Sequence, residues 1–194
     1  MEEVFKRDVS SKIDLSPALW ADLQDTFHQK TVEKGEYLLR RGEICRHGYF
    51  IVKGSFMHVH INEEGKEFVI AFHVDEVYRY ITSHQSYFTA QPSENAIIAL
   101  EDSEVLVFQK IGIERLSEEY SEFHRYYYDV TAQGLLFLNL FSTMRLSTSH
   151  AKFLEKIYLD YPVFLRRIPD KYIAEFMGIS VEWFCKLKKK FLKP

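Results

Sequence analysis

His58 and His60 stand two apart in the run Phe56 to Ile61, which alternates as a strand does. Both imidazoles therefore share one face with Phe56, while Met57, Val59 and Ile61 take the other. Imidazole nitrogens ligate transition metals, but a site needs three or four ligands. No third ligand stands at a recognisable spacing, so solvent-facing histidines and no bound metal are expected. Cys185 is followed by Lys186 and Lys188, whose charges favour a thiolate; a small, half-buried packing residue is the simpler expectation. Glu118, Glu119 and Glu122 read as an exposed helix face. No Ser/His/Asp grouping, glycine-rich phosphate loop or pair of catalytic carboxylates is visible. A non-enzymatic chain without a cofactor is expected.

Lysines carry the stronger signal. From Tyr161 to Pro194 there are eight Lys and Arg against three acids, a balance of +5, and the remainder holds 17 basic against 25 acidic residues. A basic C-terminal module on an acidic body suggests a polyanion that meets the tail alone, although a solvated lysine-rich end would give the same count.

The 194 residues suffice for one ordinary domain and a small second one. With 46% hydrophobic, 27% charged and 15% aromatic residues, the composition is globular and the cores are rich in rings. Two cysteines, Cys45 and Cys185, without a CxxC exclude a disulfide framework, a zinc knuckle and a cysteine-ligated iron–sulfur cluster. Met1 to Asp8 is charged and shows no apolar signal-peptide core. No run approaches the roughly 20 apolar residues of a membrane span. A cytoplasmic protein with no membrane contact is expected.

The elements that must position these residues change character along the chain. Ser16 and Pro17 start a helix whose Leu19, Leu23 and Phe27 share a face up to His28. Short strands follow: Tyr49 to Val52, then Phe56 to Ile61 turning at Asn62-Glu63-Glu64-Gly65 into Phe68 to Phe72. Asn95 to Leu100 and Val105 to Phe108 are expected to pair around the acidic turn Glu101 to Glu104. Short strands with frequent turns predict an antiparallel sandwich or jelly roll. From about Ile111 the pattern is helical. Phe123, Tyr127, Val130, Gly134, Phe137, Phe141 and Met144 recur at 4,3,4,3,4,3, a heptad seam. Such a seam fits a helix lying on its own barrel or facing a second copy, and Leu135, Leu136, Leu138 and Leu140 widen the surface. The favoured reading is a homodimer through those seven seam residues.

Ser147-Thr148-Ser149 breaks the helix, Ala151 to Leu159 forms another, and Tyr161-Pro162 stops it. Pro169 starts a short helix, Asp170 to Met177, ended by Gly178. Ser180 then caps a last helix from Val181 to about Leu192. Two helices joined by Gly178-Ile179-Ser180 have the proportions of a helix-turn-helix. Ile173, Ala174, Met177, Ile179, Phe184 and Leu187 supply its apolar contacts. Its second helix shows Glu182, Trp183, Lys186, Lys189 and Lys190 on an open face. The N-terminal part of such a helix reads base edges and later lysines reach phosphates. Ser180, Glu182, Trp183, Lys186, Lys188, Lys189 and Lys190 are the candidate DNA contacts.

This order resembles the Crp/Fnr (catabolite-activator/fumarate-nitrate-regulator) family of transcription regulators from about Leu15 to Phe191. The barrel resemblance rests on Lys34-Gly35-Glu36, Arg41-Gly42-Glu43, Tyr49 to Gly54 and Ala99 to Leu106; Pro169 to Ser180 is similar to the family's first helix and turn. The resemblance implies an α+β fold. A jelly-roll sensor domain of the cyclic-nucleotide-binding type spans 1–110, connecting and dimerisation helices 111–146, and a helix-turn-helix domain 147–194. Where many members carry Ser-Arg in the recognition helix, this chain has Cys185-Lys186, and lysine lacks the bidentate fork that reads guanine. The sequence stops at Leu192-Lys193-Pro194, so the family's β-hairpin wing is not expected. In nucleotide-binding members a Gly-Glu pair opens the phosphate cassette and an Arg followed by Ser or Thr closes it. Here the nearest matches are Asp75-Glu76 and Ser93-Glu94-Asn95, and no lysine or arginine occurs from Ile81 to Gln109. Cyclic AMP is therefore not expected. Glu76 remains at its cassette position, and Tyr78, Tyr80, Tyr87 and Phe88 either fill the barrel core or line a pocket for an apolar or aromatic effector. The leading function is a DNA-binding regulator; the alternative is a ligand-binding module whose C-terminal helices meet a protein.

Overall fold

The computed structural model describes residues 1–191. Two helices, α1 (Glu2–Ser10) and α2 (Pro17–Gln24), lead into strands β1 (Phe27–Val32), β2 (Tyr37–Leu39), β3 (His47–Lys53), β4 (Ser55–Ile61), β5 (Glu67–Val74) and β6 (Tyr80–Ile81). A short helix, α3 (His84–Thr89), precedes β7 (Asn95–Ala99) and β8 (Ser103–Gln109). Helices α4 (Lys110–Glu119), α5 (Ser121–Ser147), α6 (His150–Asp160), α7 (Pro162–Arg167), α8 (Asp170–Met177) and α9 (Val181–Phe191) complete the chain.

The strands form two antiparallel four-stranded sheets, ordered β1-β8-β3-β6 and β2-β7-β4-β5. Their facing sides bury Tyr49, Ile51, Val105 and Val107 against Phe56, Ile97 and Ala99, the core of a jelly roll. One expected pairing is corrected. β7 lies between β2 and β4, and β8 lies between β1 and β3. The acidic turn carries the chain from one sheet to the other instead of closing a hairpin.

Each sheet also buries its outer face. Phe50, Leu106 and Phe108 of the first sheet are covered by Phe5, Leu19, Leu23, Ile113, Leu116 and Phe123 from the helices around it. Phe5 sits 5.0 Å from both Phe50 and Phe108, ring to ring. Helix α1 was not visible in the charge-rich first residues; its buried stripe is only Phe5 and Val9, four apart. The Ser16 cap forms as expected, its Oγ accepting the Leu19 N–H at 3.1 Å. The helix nevertheless stops at Gln24, because Phe27 and His28 pair with Phe108 and Val107.

Met57, Val59, Val69, Phe72 and Ile98 on the outer face of the second sheet pack against Phe141, Phe153, Phe164 and Phe176. Phe72 lies 5.8 Å from Phe164 and 5.2 Å from Phe176. At about 2–3 kcal/mol per buried phenylalanine, this contact is too apolar for the C-terminal helices to sit as a separate body. Pro162, expected as a stop, takes the first position of α7, where a missing N–H costs nothing.

The heptad seam is corrected in the same way. Phe123, Val130, Gly134, Phe141 and Met144 are buried inside the chain, and Tyr127 and Phe137 pack beside them. The seam is occupied by the chain's own barrel and C-terminal helices. The opposite face of α5 carries the exposed Tyr128, Leu135, Leu136, Leu140 and Leu146.

Candidate functional site

The α8–α9 corner follows from three residues. Pro169 precedes α8, Gly178 ends it, and Ser180 starts α9. Gly178 adopts φ 71°, ψ 30°, the left-handed cap that a side chain disfavours. The Ile179 N–H reaches Ala174 O at 3.0 Å and the Gly178 N–H reaches Glu175 O at 2.9 Å, a Schellman closure. Ser180 Oγ accepts the Trp183 N–H at 3.2 Å. Phe184 and Leu187 are buried against Ile173, Ala174 and Met177. That anchoring leaves Glu182, Trp183, Lys186, Lys189 and Lys190 exposed. Trp183 is held edge-on by His150 at 4.8 Å and remains 46% exposed. The Glu182 carboxyl is held below the usual range by its own backbone N–H, Ser180 and Lys186, so the face presents one anion among lysines. Leu192, the expected end of the helix, and Lys193 lie outside the described residues.

Three of the basic residues that gave the tail its charge are engaged within the chain. Lys188 Nζ pairs with Asp170 at 2.6 Å, tying α9 to the start of α8. Arg167 contacts Asp75 at 2.5 Å, Glu101 at 2.5 Å and Glu76 at 3.1 Å, and Arg166 reaches Glu76 at 2.7 Å. Burial works against the Arg167 charge, but the hydrogen bonds it donates to Asp75 and Glu101 more than offset this and raise its pKa. Asp75 also accepts the Gly54 N–H at 2.8 Å. Glu76 does not line the aromatic cleft of Tyr78, Tyr80, Tyr87 and Phe88. It lies outside the barrel in an ionic clamp on the C-terminal helices, a partnership spanning 90 residues that no local pattern reveals.

The four aromatic residues expected at a pocket do meet at one. Tyr78, Tyr80, Tyr87 and Phe88 line a cleft, open to solvent, between the β3–β6 edge, α3 and α5. Phe5, Tyr126, Val130 and Thr131 complete it. Tyr78 donates to Val130 O at 2.8 Å. Tyr80 is hydrogen-bonded to Asp8 and to Tyr126, which also reaches Asp8 at 3.2 Å. Burial, with the nearby Asp8 charge, pushes all three phenols up, so they stay neutral. Asp8, His84 and Thr131 were missed in the sequence; the Phe5–Val9 spacing was the one local sign that α1 packs here.

His58 is corrected from solvent-facing to buried; it stands inside the jelly roll with His73, ring centroids 5.9 Å apart. None of their four ring nitrogens makes a hydrogen bond of good geometry among the described residues. Burial, reinforced by His84, pushes His58 down to about 4. Burial and the neighbouring imidazoles hold His73 well below its ordinary value, and the Tyr80 main chain offsets only part of this. His60 is half-buried and pairs with Asn95 at 3.1 Å. Among the described residues no three His, Cys, Asp or Glu gather as metal ligands, and no helix is long and apolar enough to cross a membrane.

Residues 29–120, from β1 through α4, match the cyclic nucleotide-binding domain family. No curated protein sequence matches the chain. Among solved structures it is similar to FixK2 from Bradyrhizobium japonicum, with TM-score 0.69 and 15% identity over 85% of this chain and 84% of that one. A protein from Eubacterium rectale, described as a transcriptional regulator of the crp/fnr family, gives TM-score 0.69 and 16% identity over 92% and 84%. The c-di-GMP-responsive global regulator CLP of Xanthomonas campestris gives TM-score 0.68 and 13% identity over 91% of each chain. The likeness therefore extends past the nucleotide-binding domain to most of the chain, and at these identities it establishes the fold.

Proposed function

We propose that this chain is a DNA-binding transcription regulator of the Crp/Fnr type that does not respond to cyclic AMP. The observation that carries this is the open face of α9, where Glu182, Trp183, Lys186, Lys189 and Lys190 are exposed behind a Ser180-capped start. In a major groove, Glu182 accepts from a cytosine amino group, Lys186 donates to guanine, and Lys189 and Lys190 contact phosphates. The cleft beside α5 is the effector site. Among the described residues no Lys, Arg, Asp or Glu lines it, so a cyclic phosphate finds no countercharge there. A two-fold dimer supplies two such helices for a pseudo-palindromic site. It forms through the exposed face of α5, where Leu135 and Leu136 are 51% and 68% exposed.

Fluorescence anisotropy with DNA selected from a random pool tests this. Saturable binding that weakens steeply with salt is expected, with Lys189→Ala lowering the log–log salt slope by about 0.9 per subunit, about 1.8 for the dimer, for every sequence. Glu182→Ala relaxes preference at single positions instead, by roughly 1–3 kcal/mol. Trp183 and Val181, 40% exposed, favour a second reading in which α9 meets a protein. A dimer that binds no DNA at low salt supports that reading and sinks the first.

A further inference from the structure

We infer that the cleft between β6, α3 and α5 is built for a small uncharged aromatic molecule carrying one polar group. This rests on the reading of the cleft as the effector site and names the effector's class.

Its walls are rings. Tyr87 and Phe88 stand edge to face at 5.3 Å, and Tyr78 and Tyr80 lie 5.8 Å apart. Such walls receive another ring in the same offset and edge-on contacts.

Its charge is nil. The charges beside it are already paired: Asp8 with Lys12 at 2.5 Å and the hydroxyls of Tyr80 and Tyr126, and Lys110, 5.2 Å from the Tyr87 ring, with Tyr87 O at 2.5 Å and Glu114 at 3.6 Å. An ion entering the cleft would shed water and meet no partner, a cost that neutral ligands avoid.

Its hydrogen-bonding capacity is nearly used up. The Tyr78 proton goes to Val130 O, and Thr82 Oγ1 donates to His47 O at 3.2 Å. The polar groups left facing the cleft are the His84 imidazole and the Thr131 hydroxyl, neither of which makes a side-chain hydrogen bond among the described residues. A neutral imidazole offers one donor and one acceptor, enough to read a single hydroxyl or ring N–H.

Calorimetry on the full chain with indole, indole-3-acetate, tryptamine and cyclic AMP tests the assignment. Saturable binding of indole is expected, with the two charged congeners at least about tenfold weaker and cyclic AMP silent. Gly48 lines the cleft, and a Cβ built there meets nothing within 4 Å. Gly48→Leu should therefore fill the space, abolish indole binding and leave the unfolding midpoint unchanged or raised. His84→Phe keeps the ring and removes the polar handle, so indole should weaken roughly three- to tenfold, the worth of one net hydrogen bond. Equal affinity for the charged congeners, preference for cyclic AMP, indole binding that survives Gly48→Leu, or no saturable indole binding would each overturn the proposal. No arm contains DNA, so a failure to bind operator sequences refutes the regulator reading separately.

Discussion

Gly134→Ala inverts the usual sign of a helix substitution. On an exposed helix, replacing glycine by alanine stabilises by about 1 kcal/mol. Gly134 is buried on the inward face of α5, and a Cβ built there would stand 2.5 Å from the Tyr78 hydroxyl and 3.1 Å from its Cζ. Tyr78 has little room to yield. Its hydroxyl donates to Val130 O at 2.8 Å, and its ring stacks on Phe137 at 5.8 Å and 23°. Displacing it loses a hydrogen bond worth about 1 kcal/mol and overpacks the site by roughly 1–3 kcal/mol. After the helix gain is credited, about 2 kcal/mol of destabilisation remains. Urea unfolding followed by tryptophan fluorescence should show a midpoint lower by on the order of 1 M. Tyr78→Phe removes the atom that the new methyl meets, so the double variant should lose less than the two single losses combined. A Gly134→Ala protein more stable than its parent would show that α5 does not press on the barrel here.

Arg167→Met leaves Asp75, with an 11% exposed side chain, without its cation; discounting the open Glu76 and Glu101 arms, urea unfolding should register a loss of about 2 kcal/mol. His58 and His73 are neutral in the fold and charge in the unfolded chain below about pH 6.5. Their folded pKa values are depressed, so stability should be complete above pH 6.5 and fall as pH drops towards 4, by about 3 kcal/mol from His58 alone. Melting His58→Leu across that range should show a flatter profile. Leu135→Glu with Leu136→Glu should give folded monomers by light scattering, whereas Val130→Glu should unfold the chain; monomers from neither would place the interface elsewhere.

The elements that local chemistry determines were legible. Pro169, Gly178 and Ser180 each act within four residues, and α8 begins and ends, and α9 begins, where they say. What failed were statements about partners. A heptad period records that one stripe of α5 is buried, but not whether its own sheet or a second chain buries it. Alternation in β4 put His58 opposite Met57 without showing which side is the interior, because here both sides are covered, one by the facing sheet and one by helices. Asp75 and Glu76 occupy the cassette's place in the sequence, yet their chemistry is fixed by Arg166 and Arg167, which only the fold brings near. The aromatic cleft was half legible. Tyr78, Tyr80, Tyr87 and Phe88 cluster within eleven positions of the chain, while Phe5, Asp8, Tyr126 and Thr131 arrive from helices on either side.

One short segment joins the clamp to the cleft. Asp75 and Glu76 hold Arg167 and Arg166 of the C-terminal helices, Val77 packs in their core, and Tyr78 and Tyr80 line the cleft. Between them the Arg79 guanidinium is fixed to the carbonyls of Ile51 and Val52 at 2.8 and 3.0 Å. Tyr78 cannot retreat towards α5, where even the missing Cβ of Gly134 would touch it, so pressure on its ring is taken up by its own backbone. Six residues span at most about 20 Å when extended, too short a length to absorb a shift without passing it to the acids at the other end. Gly134→Ala and Arg167→Met thus load the two ends of the same segment. Their stability losses should depart from additivity by at least about 0.5 kcal/mol, beyond the deviation usual for independent sites. Simple additivity in a double-variant cycle would show that the clamp and the cleft are energetically separate.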